Sequence, residues 1–220
     1  MDVVERAAAL REYAEQTASC TKCALSRERT QVVFGSGSPD ADLMFVGEAP
    51  GFHEDQQGVP FVGQAGKLLD KLLGGIGLSR ADVMVVNVIK CRPPGNRDPL
   101  PEEIAACEPH LFRQIELIEP KLVATLGNFA TKLLSGRPAG ITRVHGQEQE
   151  VTLGARTVHL YPLYHPAAAL YTPSMLKVLE EDFFRIPDLL ERVAGPSIVT
   201  AEPPAPVFEP EPDSVQLGLF

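Results

Sequence analysis

Four short apolar runs do most to restrict the fold: Leu43-Met44-Phe45-Val46, Val83-Met84-Val85-Val86-Asn87-Val88, Leu122-Val123-Ala124-Thr125-Leu126 and Val158-His159-Leu160-Tyr161. Each has strand length and is close to continuous rather than alternating, the pattern of a strand covered on both faces. Segments with helical pattern separate them at 65–76, 101–118 and 129–134, and two more stand outside them at 3–18 and 174–193. A β, α, β, α order implies parallel strands joined by helical crossovers. The expected fold is therefore α/β: a three-layer α/β/α domain around a central, mainly parallel four-stranded sheet, ending near Val193. With 44% hydrophobic residues in 220, the chain can bury one good core, and no apolar run approaches the ~18 residues of a membrane span. One folded domain over 1–194 is expected. The next stretch, 195–214, carries six prolines (Pro196, Pro203, Pro204, Pro206, Pro210, Pro212) among acidic residues, so the tail 195–220 should be a disordered tether.

The four cysteines ask for a metal. Cys20-Thr-Lys-Cys23 is a C-x2-C knuckle that directly follows the first helix, and Cys91 and Cys107 lie far along the chain, so folding must bring the pairs together. Disulfides are the rival reading, but the N-terminal residues Met1-Asp2-Val3-Val4-Glu5-Arg6 do not resemble a secretory signal, and a reducing cytoplasm is expected. Spacing alone leaves open a four-thiolate zinc site, a four-thiolate iron-sulfur cluster and unliganded buried cysteines.

The formal charge of −9 argues at face value against a nucleic-acid partner, because phosphate contacts need Lys and Arg. Four of the acids (Glu202, Glu209, Glu211, Asp213) lie in the tail, which has no Lys or Arg, so the rest of the chain carries −5. Local cations such as Lys90, Arg92 and Arg97 bear more on binding than the sum does.

In a parallel sheet, ligands bind beyond the carboxyl ends of the strands. There this sequence has Gly47-Glu48-Ala49-Pro50-Gly51, then Asn87, then Gly127-Asn128, then Tyr164-His165-Pro166-Ala167-Ala168-Ala169-Leu170. Taken singly, these are ordinary turn and cap residues. Together on one edge they would surround a cleft with a carboxylate, a carboxamide and an imidazole. Gly66-Lys67-Leu68 lacks the spacing and the Ser/Thr of a phosphate-cradling loop, and Gly35-Ser36-Gly37 does not open a helix. The histidines do not pair at zinc-protease spacing, and no serine sits in a nucleophile elbow.

Gly47 to Gly51, Gly58-Val59-Pro60-Phe61-Val62-Gly63-Gln64-Ala65-Gly66, Asn87-Val88-Ile89-Lys90-Cys91-Arg92-Pro93 and His165-Pro166-Ala167-Ala168-Ala169-Leu170 closely resemble the family 4 uracil-DNA glycosylases. The resemblance runs over about 20–193. It implies a base-excision repair enzyme that hydrolyses the N-glycosidic bond of deoxyuridine in single- or double-stranded DNA, releasing uracil and leaving an abasic site. It also implies a structural [4Fe-4S] cluster on Cys20, Cys23, Cys91 and Cys107, in a monomer associated with the nucleoid.

That chemistry requires the nucleotide to be flipped out, its edge read and its face stacked. In the uracil pocket, made of Gly47, Glu48, Ala49, Phe61, Asn87 and His165, Phe61 would be the stacking ring. Asn87 would donate to uracil O4 and accept from N3–H, a pattern that mispairs with cytosine. As the glycosidic bond breaks, charge builds on uracil O2, and His165 with backbone amides of the 47–51 loop would stabilise it. Related families carry an aspartate where this chain has Ala49, so Glu48 and Glu54 are expected to share electrostatic and water-positioning roles. Leu170 would be the wedge filling the gap left by the flipped base. A related branch binds uracil-DNA covalently through a histidine on an inserted basic loop; Arg92 to Pro99 contains neither histidine nor insertion, which favours turnover. A non-catalytic iron-sulfur sensor of nucleic acid and a zinc module are the competing classes.

The chain end Gln216-Leu217-Gly218-Leu219-Phe220 resembles the short peptide by which bacterial repair proteins dock on the sliding clamp. Gln216, Leu217, Leu219 and Phe220 are its expected contacts, on a tether that would raise local concentration at replicating DNA.

Overall fold

The protein was analysed as a computed structural model that describes residues 1–194; the tail and its clamp-docking peptide lie outside the described residues. In chain order the elements are α1 (Val3–Ala18), β1 (Ser36–Gly37), β2 (Leu43–Gly47), α2 (Phe52–Gln57), α3 (Gln64–Gly75), β3 (Met84–Asn87), α4 (Pro101–Ile118), β4 (Leu122–Leu126), α5 (Asn128–Ser135), α6 (Ile141–Val144), β5 (Gln149–Leu153), β6 (Arg156–Leu163), α7 (Pro166–Ala169), α8 (Pro173–Phe184) and α9 (Ile186–Ala194). Single 3-10 turns stand at Ala24–Arg27 and Pro94–Asn96.

The four predicted strands form the centre of the sheet, and their neighbours pair in parallel in the order β3-β2-β4-β6. Side chains alternate along them between two cores. On β2, Met44 and Val46 face α1, α4 and α5, through residues such as Leu10, Leu111, Ile115 and Leu134. Leu43 and Phe45 face α3, α8 and α9, through Leu69, Leu73, Leu179 and Ile186, and Phe45 stacks on Phe183 at 5.6 Å. Helices cover both faces, which is why these strands are apolar at nearly every position.

The sheet departs from the four-stranded expectation by being mixed and six-stranded, in the order β1-β3-β2-β4-β6-β5. β1 adds only two residues, antiparallel to β3, too few to leave a hydrophobic pattern. β5 pairs antiparallel to β6 across a two-residue Gly154-Ala155 connection and is mostly half-buried or exposed, so it shows no continuous apolar run. The helix expected at 174–193 is two helices. Pro187 lacks an amide proton and crowds the preceding turn, and the chain breaks at Arg185 between α8 and α9.

Chain order and spatial order part company beside β2, since β3 lies on one side of it and β4 on the other. The carboxyl ends at such a switch point splay apart and leave a crevice. The Glu48 loop, Asn87, Gly127 and His165 all stand on that edge.

Candidate active site

A cleft of about 420 Å³ opens at this edge, lined among others by Glu48, Ala49, Glu54, Phe61, Asn87 and His165. Asn87 ends β3 and is 2% exposed. Its Oδ1 is buried with no hydrogen-bond partner, a costly state for a carboxamide unless something else occupies it. Beside it, Gly47 leaves room no other residue would, because a Cβ there would stand 2.5 Å from Asn87 Oδ1 and 2.7 Å from Phe61 Cζ.

Phe61 has a left-handed backbone, φ 57°. It is held there from outside the cleft: Arg80 Nη2 donates to its carbonyl at 2.9 Å, and α3 presses Gly66 against that same carbonyl. A side chain at Gly66 would fall on the carbonyl itself. The Phe61 ring stacks on the His165 imidazole, centroids 5.6 Å apart and planes 27° from parallel.

His165 caps α7. Its Nδ1 accepts the Ala167 amide at 3.1 Å, which puts the ring proton on Nε2. Burial lowers its pKa to about 4, so the ring is a neutral donor near pH 7. Burial, and then the nearby Asp98 carboxylate, push the Glu48 carboxyl above its ordinary range. Glu48 and His165 also line an adjoining cleft of about 570 Å³ with Asp98, Gly127, Asn128, Phe129 and Lys132.

Glu54 reaches the cleft, but its Oε1 accepts the amides of Val62 (3.0 Å) and Gly63 (3.2 Å), so this oxygen braces the turn that enters α3. Its neighbour Asp55, 2% exposed, accepts the Thr30 amide with both oxygens and ties α2 to the N-terminal segment. Leu170 is 38% exposed at the end of α7, next to Tyr171 at 87%, and neither lines the cleft. The rim next to α2 has Arg92 stacked 5.2 Å over the exposed Phe52 ring, with its Nε donating to Asn96 Oδ1 at 2.7 Å. Arg97, by contrast, is spent on both oxygens of Glu103.

The four cysteines, two following α1, one following β3 and one within α4, line a single small cavity, and none is in a disulfide. Two of the sulfurs accept N–H bonds, Cys107 Sγ from Lys90 N at 3.2 Å and Cys91 Sγ from Arg29 Nη1 at 3.4 Å, and His110 Nε2 lies 3.4 Å from Cys20 Sγ. Burial raises the Cys91 thiol to about 11 and raises the Cys107 thiol too. Among the described residues no three Cys, His, Asp or Glu side chains are grouped as ligands of a single ion.

Sequence reasoning named the cleft residues that follow the strands. It missed Asp55, Arg80, Arg29, His110 and Asp98, whose partners lie far off in sequence, and named Lys90 only as a local cation.

The model of the Uracil DNA glycosylase superfamily matches residues 34–186. The type-4 uracil-DNA glycosylase of Sulfurisphaera tokodaii is 48% identical over 185 residues, covering 82% of this chain and 84% of that protein. That of Archaeoglobus fulgidus is 45% identical over 82% of this chain and 92% of its own length, and that of Thermotoga maritima 40% over 81% and 93%.

Proposed function

This chain belongs to the uracil-DNA glycosylase superfamily, and on that premise we propose that it is a monofunctional enzyme that cuts uracil from DNA by the following division of labour. The observation that carries the reading is the unpartnered Asn87 Oδ1, buried beside Phe61 and His165 in the cleft.

A flipped uridine offers what this pocket lacks. N3–H donates to Asn87 Oδ1, Asn87 Nδ2 donates to O4, and Phe61 covers one face of the base. Cytosine presents an acceptor at N3 and a donor at position 4, leaving both Asn87 atoms mismatched. The C1′–N1 bond breaks with its electron pair on the base, and His165 Nε2–H donates to O2 as charge gathers there. The sugar cation takes the oxygen of a water, which releases one proton to solvent, and the departing base takes up one in turn. Glu48, held near the cleft with a raised pKa, is the carboxylate that faces the cation and orients the water; Glu54 shapes the pocket through the turn entering α3. Arg92, propped on Phe52 and Asn96, offers its guanidinium to a backbone phosphate at the rim, and Leu170 with exposed Tyr171 forms the wedge.

The cysteine cavity fits a thiolate-bound cluster. Its donors are four sulfurs, two of them accepting N–H bonds, and no nitrogen or oxygen ligand is needed to complete them. Cys20, Cys23, Cys91 and Cys107 hold the [4Fe-4S] group, which supplies a cross-link rather than a chemical step. The peptide at 216–220 docks on the sliding clamp; Phe220→Ala leaving clamp binding unchanged would remove that part of the reading.

The test is an oligonucleotide with one uracil, single-stranded or opposite guanine, followed by alkali to cut abasic sites, with thymine and cytosine controls. Cleavage at uracil alone, slowed at least about thirtyfold in Asn87→Ala and likewise slowed in His165→Ala, is the expected result. Intact strands, or an adduct that survives denaturation, would refute it.

A further inference from the structure

Lys90 is 1% exposed, and no carboxylate among the described residues pairs with it. Burying an ammonium is expensive, and an apolar side chain would pack there more cheaply. Its bonds explain its presence. The Lys90 amide donates to Cys107 Sγ at 3.2 Å and its carbonyl accepts Val33 N at 2.8 Å. Its side chain folds back three residues, and Nζ donates to the Asn87 carbonyl at 2.7 Å. Asn87 is the last residue of β3; beyond it Val88 N and Ile89 N donate to the Gly47 and Glu48 carbonyls, and the Nζ bond adds a hold on the Asn87 carbonyl itself. Cys91, the residue after Lys90, is itself a wall of the cysteine cavity.

We infer that Lys90 is a positioning residue that couples cluster occupancy to the uracil-reading carboxamide of Asn87. One end of the residue is pinned to a cluster ligand and the other to the backbone that aims the reader. With metal-bound thiolates at Cys91 and Cys107, the ammonium gains the counter-charge that its site otherwise lacks. The carbonyl bond then holds Asn87 Oδ1 facing the cleft. Coupling of this kind is reciprocal, so a base engaged by Asn87 must also tighten the hold on the cluster.

The inference rests on the glycosylase reading, and one preparation tests both. Chelator-driven loss of the visible band near roughly 400 nm is followed with the holoprotein bound to either of two oligonucleotides. One carries 2′-fluoro-2′-deoxyuridine, whose fluorine opposes cation formation at the sugar and keeps the base attached. The other carries thymidine at that position and controls for simple coverage by DNA. In the unaltered protein the uridine analogue slows bleaching about fivefold or more relative to thymidine, the low end of ordinary coupling between sites. In Lys90→Met that ratio falls to about one although initial iron content and oligonucleotide binding persist. Lys90→Gln serves if Lys90→Met does not load the cluster. A ratio of one in the unaltered protein, or an unchanged ratio in a loaded variant, overturns the coupling. Excision of unmodified uracil by the same preparation reports on the glycosylase reading separately: excision without protection sinks only the role of Lys90.

Discussion

The protonation state of His165 makes a prediction that can be worked through in numbers. With a pKa of about 4, the ring is charged in about one molecule per thousand at pH 7 and in roughly one of eleven at pH 5. If the neutral ring is the donor to uracil O2, the rate of the chemical step is insensitive to His165 from pH 8 to about 5. If the imidazolium were the catalyst, the rate would climb about tenfold for each pH unit from 7 toward 4. Glu48 must be separated out, because its raised carboxyl protonates on the acid side and lowers the rate there. Single-turnover excision by Glu48→Gln across pH 5–8 isolates the histidine. A flat, low profile is expected, and a tenfold rise per unit toward acid would refute the neutral-donor assignment. The same shift has a stability signature. The unfolded chain takes up the proton near its ordinary value of about 6.5 and the folded chain only near 4, so stability is lost as pH falls through that window, by about 3 kcal/mol at pH 4. Urea unfolding at pH 7 and pH 4 measures it: the unaltered protein should lose about 3 kcal/mol more than His165→Gln.

Removing both Asn87 hydrogen bonds in Asn87→Ala should cost about 2 kcal/mol in transition-state binding, roughly a thirtyfold fall in kcat/KM on uracil with the melting temperature nearly unchanged. Gly66→Ala drives a methyl into the Phe61 carbonyl, with no flexible side chain to yield; loss of more than about 3 kcal/mol of stability by denaturant titration is expected. Cys91→Ser should abolish the visible absorbance and lower the melting temperature, since it opens the link between α1 and the segment after β3. Arg92→Gln, which keeps most of the side chain's bulk, should reduce the slope of log affinity against log salt by about one while leaving discrimination between uracil and cytosine intact.

Elements whose two faces are both buried were legible from sequence, because burial on both faces writes itself into every residue. Leu122–Leu126, buried at every position, falls on its expected bounds; α1 and α4 do so too, on helical pattern rather than on two buried faces, and α4 keeps its course although Pro109 stands inside it. β5 escaped notice because an edge strand with a wet face needs no continuous apolar run, and β1 because two residues carry no period. The break between α8 and α9 was visible in Pro187 and was missed because the apolar pattern continues across it.

The site divides in the same way. Residues whose chemistry must touch a ligand, such as Asn87, His165, Phe61 and the four cysteines, stand in short motifs, and sequence alone singled them out as candidates. Sequence also determined that the chain is an α/β protein with its strands in parallel at the centre. Tertiary structure alone decided what holds those candidates in place: Arg80 and Gly66 fix the strained Phe61, Asp55 pulls α2 onto Thr30, and Lys90 bridges Cys107 and Asn87. It also decided that His165 is neutral and that one oxygen of Glu54 is spent on backbone amides. The physical reason is that such bonds join residues with no fixed spacing along the chain, and a pKa depends on which groups surround a side chain in space rather than on which precede or follow it.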